Sequence, residues 1–404
     1  MIQSYEQQPH FFIFLYSMLD PQIIRAERDA IEKAIRDRHA AVDLDTFFAL
    51  DEKRRALLLS VETLRAERNV KSKQKPTPAE IAKLKKIGQA IAEKETALAA
   101  IEEQRQQILL TIPNIPHESV PIGESEAKNK VLKKWGKLPR VKNPREHFDI
   151  PAVKPYLDIE RGVRTSGARF YYLRGPVAAL EHALMRYAVE CITKKGFELL
   201  IPPILVREHA LFGTGYFPNG RNEVYAVNPG EDNLFLVGTS EQAVTAFHAG
   251  ETLDAKDLPK KYTASTPCFR REAGSYGKDT QGILRVHQFN KVEMVAFTTP
   301  ETSWKILAEM VKLTEAFYQS LGIPYQLVTL CTGDLGFQSA KTIDIEGWFP
   351  GQNRYRELGS ASNTTDFQAR RLNIRHVTKT GEKQFVHTLN NTVVADRALL
   401  AILE

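Results

Sequence analysis

The sequence is short of cysteine, of long apolar runs and, through its first third, of glycine, and each shortage removes a class of protein. Cys191, Cys268 and Cys331 are far apart and form no C-x-x-C pair. Neither a disulfide framework nor a thiolate metal site is expected, and a reducing compartment fits. No apolar stretch approaches the roughly 18 residues needed to span a bilayer. The apolar residues 11–19 follow no Lys or Arg and precede no small-residue cleavage site. Residues 1–17 therefore read as an extension rather than a secretion signal, with Met18 as an alternative start, and the protein is expected in the cytoplasm. G-x-G-x-x-G and G-x-x-x-x-G-K-[ST] are both missing, so neither strand-turn-helix phosphate cradle is expected. Gly88 is the only glycine before Gly123.

What is present is ordinary in bulk. The chain has 404 residues, 43% of them hydrophobic and 26% charged, a net charge of +6 and a pI of about 9.0. That length accommodates two or more domains, and the mild basicity suits a polyanion without requiring one.

Composition shifts near Pro113. Before it, Phe47, Leu50, Leu57, Val61 and Leu64 recur at three-then-four spacing, interrupted by Arg54. Leu84, Ile87, Ile91, Leu98, Ile101 and Ile108 do the same, with Lys94 and Arg105 intervening. That spacing puts each set on one helical stripe, the pattern of a coiled-coil seam. Pro76 and Pro78 lie between the two sets, where they end one helix and allow the next. The expectation is a long antiparallel helical hairpin standing in solvent. Around its turn gather Arg65, Arg68, Lys71, Lys73, Lys75, Lys83, Lys85 and Lys86. These cations are consistent with a solvated helix face or with an arm that tracks phosphates.

From about residue 145 the reading is mixed. Helices are expected over residues 177–195 and 301–321, and strands over 234–237, 292–297, 325–330 and 342–348. Strands in sequence without a helix between each pair point to an antiparallel-rich α+β sheet. Between Thr266 and Phe297 the pattern is a strand ending in Arg-Arg-Glu, a loop carrying Gly274, Gly277 and Gly282, and a returning strand. Arg270 and Arg285 offer planar forks to phosphate, Glu272 can accept from a base amino group, and Phe289 offers a stacking face. A surface hairpin with incidental charges is the rival reading of these residues alone.

The wording of that segment, CFRREAGSYGKDTQGILRVHQFNKVE, resembles motif 2 of class II aminoacyl-tRNA synthetases, in the form found in the seryl-tRNA synthetase family of bacterial type. GFELLIPPILV, Gly196 to Val206, looks like motif 1, with Pro203 at the interface-shaping position. The segments from Cys331 to Arg371 and from His387 to Glu404 are similar to the same family, as is the helical arm. The resemblance implies an antiparallel-sheet class II catalytic domain over 145–404, a tRNA-binding arm over 18–115 and a linker over 116–144.

The resemblance also implies roles. ATP would be held by Arg270, Arg271, Glu272, Arg285, Val286, Phe289, Glu357, Leu358, Gly359, Ser360 and Arg397, with Arg270 and Arg397 acting in catalysis. Arg270 would take the α-phosphate; Arg285 and Arg397 would take the β,γ-phosphates. Glu357 and Ser360 would coordinate Mg2+. Serine would lie among Thr239, Ser240, Glu241, Arg270, Glu293 and Thr392. The arm would touch tRNA(Ser) through Arg65, Arg68, Lys71, Lys73 and Lys75, with the selenocysteine tRNA as a second candidate. The expected activity is serine–tRNA ligation by a homodimer.

The sequence departs from the family in places. LNNTVVADR is one residue shorter than the usual spacing to the motif 3 arginine and lacks the family's glycines, and the sequence ends at Glu404, several residues before the usual family terminus. Ala361 and Thr364 stand where cysteines are common. Two rivals remain at this stage: a related ligase loading a carrier protein, and an inactive paralogue serving as a tRNA-binding or regulatory module. The full arm counts against the first, and the intact charged residues count against the second. His287 reads as a structural hydrogen-bonder, and Cys268 and Cys331 as packed thiols.

Overall fold

The structure, a computed structural model, describes residues 21–72, 77–273 and 281–404. Lys73, Lys75, Gly274, Gly277 and the extension before Pro21 lie outside the described residues. The chain divides into two compact units, with residues 17–113 in one and residues 114–404 in the other.

In the first unit, short helices at Pro21–Ala26 and Arg28–Asp37 precede α1 (Leu44–Ser72) and α2 (Pro78–Thr111). Pro78 occupies the first turn of α2, where its missing N–H is not needed. Thr77 and Glu80 complete a capping box: the Thr77 amide donates to Glu80 at 2.7 Å, and Thr77 Oγ1 accepts from the Glu80 amide. Phe47, Val61 and Ile91 are buried along the seam. The charges that interrupt it are paired across the hairpin. Arg54 donates to Glu102 at 3.0 Å, and Asp51, only 1% exposed, is gripped by Arg105 at 3.1 Å and by Arg25 at 2.6 Å.

The second unit is built on one eight-stranded sheet. Its strands are β1 (Lys130–Trp135), β2 (Glu198–Leu200), β3 (Lys260–Phe269), β4 (Gln288–Thr298), β5 (Tyr325–Thr329), β6 (Lys341–Phe349), β7 (Arg354–Asn363) and β8 (His387–Ala395). The spatial order is β1-β5-β6-β7-β8-β4-β3-β2. All neighbours are antiparallel except β2 beside β3. The stretch expected as a linker thus contributes an edge strand: β1 pairs with β5, and residues 116–144 belong to this unit.

Three helices, α3 (Gly175–Thr193), α4 (Ser303–Ser320) and α5 (Asp396–Leu403), supply Leu184, Met310 and Leu399 to the main core. Val292, Met294 and Ala296 of β4 face that core. Strand periodicity then turns Lys291 and Glu293 to the opposite side, which is where the charged groups collect. Between β4 and β8 the register slips: Val292 pairs with Val394 and Glu293 with Thr392, so Val393 is an extra residue on β8. A bulge of this kind bends the strand and re-aims its side chains.

Candidate active site

The hairpin of β3 and β4 carries the motif 2 residues. Its pairing sets Phe289 opposite Cys268 and Gln288 opposite Phe269, so Arg270 leaves the end of one strand as His287 enters the other. The backbones close this end: the Arg270 amide donates to His287 O at 2.9 Å, and His287 Nδ1 meets Arg270 O at 2.8 Å. His287 is therefore the structural hydrogen-bonder that its position implied. Arg270 Nε donates to Gly238 O at 3.2 Å, and its guanidinium lies 5.3 Å from the centre of the Phe289 ring. Burial works to lower its pKa, but Tyr216, Cys268, Glu357 and Glu272 outweigh burial and raise it.

Glu272 adopts a left-handed backbone (φ 52°), a conformation uncommon outside glycine, and its carboxylate pairs with Arg285 at 2.6 Å. Arg271 is exposed, while its amide donates to Glu223 O. Val286 is 7% exposed, at the return of the loop. That return is clamped through His147, which is wholly buried. The Ile283 amide donates to His147 Nε2 at 3.0 Å, so Nδ1 carries the hydrogen and donates to Glu404 Oε1, also at 3.0 Å. Gly282 sits at φ +67°, and a Cβ there would fall 2.3 Å from His147 Nε2, so glycine is required on both counts.

β7 and α5 face this hairpin. Arg397 reaches Glu357 twice, donating to its backbone O at 2.8 Å and to Oε2 at 3.2 Å. The shortened stretch before Arg397 thus still delivers the guanidinium to Glu357. The Glu357 side chain is half exposed; the local desolvation that disfavours its charge is outweighed by Arg397 and then Arg270, which hold it below the usual carboxylate range. Ser360 pairs with Asp344 of β6 across the strands. Asp344 Oδ1 is buried without a partner among the described residues, and burial, followed by Glu357, pushes this carboxyl well above its ordinary pKa. Among the described residues, no group of three His, Cys, Asp or Glu could hold a metal ion by itself. An ion that also takes phosphate oxygens and water fits Glu357, Ser360 and the unsatisfied Asp344, because Mg2+ usually binds through one or two carboxylates plus phosphates.

Gly359 permits the next layer. A Cβ there would lie 2.9 Å from Thr392 Cβ, so a side chain would displace β8 from β7. Thr392 instead donates to Glu293 Oε2 at 2.9 Å. Lys291 Nζ lies 2.5 Å from the same oxygen and donates to Thr239 Oγ1 at 2.6 Å. All four residues are at most 6% exposed. Glu241, 4% exposed, accepts from Tyr216 at 3.0 Å, Gln368 at 2.7 Å and Asn390 at 2.9 Å. Burial and then the Glu293 charge push it up to about 7. Ser240 Oγ is buried with no partner among the described residues.

The structure therefore brings Thr239, Glu293 and Thr392 into one buried polar network, and Arg270, Glu357 and Arg397 into a second, half-open one. Tyr216, Lys291, Gln368, Asn390 and Asp344 were missed as site residues. Lys291 alone carried a signal: a lysine two residues before Glu293 in an alternating strand shares its face.

On the arm, Arg65, Arg68 and Lys71 are all exposed. Arg65 pairs with Glu95 at 2.6 Å, and Lys71 pairs with Glu67.

With this geometry established, comparison with known proteins is specific. Residues 18–116 match the seryl-tRNA synthetase N-terminal domain, and residues 224–404 match the class II tRNA synthetase core domain (G, H, P, S and T). The serine–tRNA ligase of Fervidobacterium nodosum is 43% identical over 400 residues, covering 96% of this chain and 93% of that protein. That of Syntrophobacter fumaroxidans is 44% identical over 401 residues, covering 96% and 94%. Seryl-tRNA synthetase from Pyrococcus horikoshii, solved with ATP, superposes with a TM-score of 0.88 at 36% identity, covering 95% of this chain and 93% of that one. The cytoplasmic serine–tRNA ligase of Naegleria fowleri, solved with AMP, gives 0.85 at 35% identity, covering 95% and 92%.

Proposed function

We infer the activity from one premise: this chain belongs to the seryl-tRNA synthetase family. It is an ATP-dependent serine–tRNA ligase. The observation that carries the reading at residue level is the pair of networks, one buried and polar around Glu293 and Thr392, the other half-open and holding Arg270 and Arg397.

In the first step a carboxylate oxygen of serine attacks the α-phosphorus of ATP. The bond to the β,γ-diphosphate breaks, leaving seryl-adenylate and pyrophosphate. Arg270 binds the α-phosphate and stabilises the charge that develops on it, which is where such a reaction gains most. Phe289 stacks on the adenine, Val286 contacts it through its backbone, and Arg285 and Arg397 release their carboxylate partners to take the terminal phosphates. Glu357 and Ser360, with Asp344 beside them, would hold Mg2+, which neutralises phosphate charge when bound.

Serine's ammonium group lies on Glu241 and Thr239, and its hydroxyl lies between Glu293 and Thr392. Alanine offers no hydroxyl to this buried polar pair and would set a methyl group against it, so it is rejected. In the second step a hydroxyl of the terminal adenosine of tRNA(Ser) attacks the seryl carbonyl and AMP departs.

The arm binds tRNA through Arg65, Arg68, Lys71, Lys73 and Lys75, reading backbone and shape rather than bases. The working form is a homodimer, supported by the exposed Leu180, Tyr187, Leu199 and Ile201 on and after α3. The cytoplasm is its proposed location; among the described residues no helix is long and apolar enough to cross a membrane. The test is ATP–pyrophosphate exchange with serine, threonine, alanine and glycine at equal concentration. Exchange is expected with serine alone, and equal exchange with alanine would overturn the hydroxyl pocket.

A further inference from the structure

Asp396, in a stretch that lacks the family's glycines, immediately precedes Arg397 at the start of α5 and is 6% exposed. Its Oδ2 accepts from the Asn290 amide at 2.9 Å and from the Tyr171 hydroxyl at 3.0 Å. Asn290 follows Phe289 in β4, and its side chain donates to Glu181 of α3 at 3.0 Å. A part-buried chain of hydrogen bonds thus joins the element that carries Arg397 to the backbone beside Phe289.

We propose that Asp396 is a positioning residue for ATP: it ties the first turn of α5 to the start of β4, so that Arg397 and Phe289 are presented to the nucleotide in fixed register. This rests on the reading of those two residues as ATP-binding.

A proton belongs to the tie. Asp396 Oδ1 is buried and receives no hydrogen bond from any described residue. A buried carboxyl with one oxygen left without a donor, beside a second carboxylate, is favoured in its protonated form. Burial first, and then Glu181, push Asp396 up to about 7, against the hydrogen bonds from Asn290 and Tyr171. The groups facing it are Glu181 from α3 and Tyr171 before α3. His182, with Nδ1 3.8 Å from Glu181, stands one step further out. Because the shift is upward, the fold favours the protonated acid. The stabilisation that comes with the proton is complete below the usual carboxylate range and is lost as pH rises through about 7. A second negative charge then meets Glu181 and strains the contact between α5 and α3, although Asn290 and Tyr171 still donate to Oδ2.

The experiment measures the KM for ATP and kcat in serine-dependent pyrophosphate exchange at pH 6 and pH 8.5. It compares the parent with Asp396→Asn, Asp396→Gly and Glu181→Gln. The parent's KM for ATP should rise several-fold between the two pH values. Asn mimics the protonated acid, donating to Glu181 while accepting from Asn290 and Tyr171, so its KM should stay low at both. Gly should raise the KM for ATP roughly fivefold or more at both pH values, with kcat changed less and the KM for serine unmoved. Glu181→Gln should flatten the pH profile as Asn does. Variants that all share the parent's profile, or that move the ATP and serine constants equally, would overturn the proposal. Absence of exchange in the parent would instead remove the ligase reading beneath it.

Discussion

The helical arm and the catalytic sheet both place charge where hydrophobic periodicity would not, but at different cost. On the arm, cations such as Arg65 and Lys71 are exposed and paired with neighbouring glutamates, and pairs of that kind contribute about 0.2–1 kcal/mol each. In the sheet, Lys291 and Glu293 are 6% and 2% exposed, and removing one partner of such a pair costs roughly 3–5 kcal/mol. The arm is suited to bind by number of contacts and to tolerate the loss of any one. The proposed serine site rests instead on one buried ion pair, whose loss is not tolerated. Asp51 is the exception that sharpens the contrast, a buried acid on the arm held by the three arginines Arg25, Arg55 and Arg105.

The largest effect expected from testing this contrast is at Glu293. Glu293→Gln should lower kcat/KM for serine by about a hundredfold or more, since Lys291 is left buried beside a neutral amide. Steady-state exchange kinetics check this, and a change under threefold would mean that the pair is structural only. A smaller effect is expected from pH. Glu241, pushed up to about 7, must ionise to meet serine's ammonium. Serine affinity should therefore strengthen by up to about tenfold per pH unit below that value and level off above it. Its own contribution to stability runs the other way, present at low pH and lost as pH rises through about 7. Isothermal titration of serine from pH 5.5 to 8.5 measures the first trend, and Glu241→Gln should abolish it. The smallest effect belongs to the arm. Arg68→Ala combined with Lys71→Ala should raise the KM for tRNA a few-fold, leave pyrophosphate exchange unchanged, and reduce the salt dependence of tRNA binding by about one unit of slope per lost phosphate contact.

The two regions also differ in how far they could be read from sequence. The hairpin was legible because a helix seam repeats locally: Phe47, Val61 and Ile91 announce their burial by spacing alone. The breaks in that seam were visible as Arg54 and Arg105, while their answers, Glu102 and Asp51, lie across the turn where no local pattern reaches. In the sheet, the central strands β4 and β8 are buried along most of their length and do not alternate, so β4 was legible only as the apolar run of residues 292–297. β1 escaped because KVLKKW is almost wholly exposed and its pairing is dictated by β5, not by its own periodicity. The named serine contacts came from family wording, but the groups that satisfy Glu241 are Tyr216, Gln368 and Asn390, which converge only through folding. The stretch LNNTVVADR was visible as lacking the family's glycines, but Asp396 within it, and what it joins, required coordinates.

The clamp from Glu404 through His147 to Ile283 has a kinetic meaning. His147 Nε2 accepts from the Ile283 amide, so one amide proton is guarded by one buried ring. In amide exchange, Ile283 should mark the point at which protection begins along the returning chain. Its exchange would report when the contact with His147 opens, at a single residue and without any label.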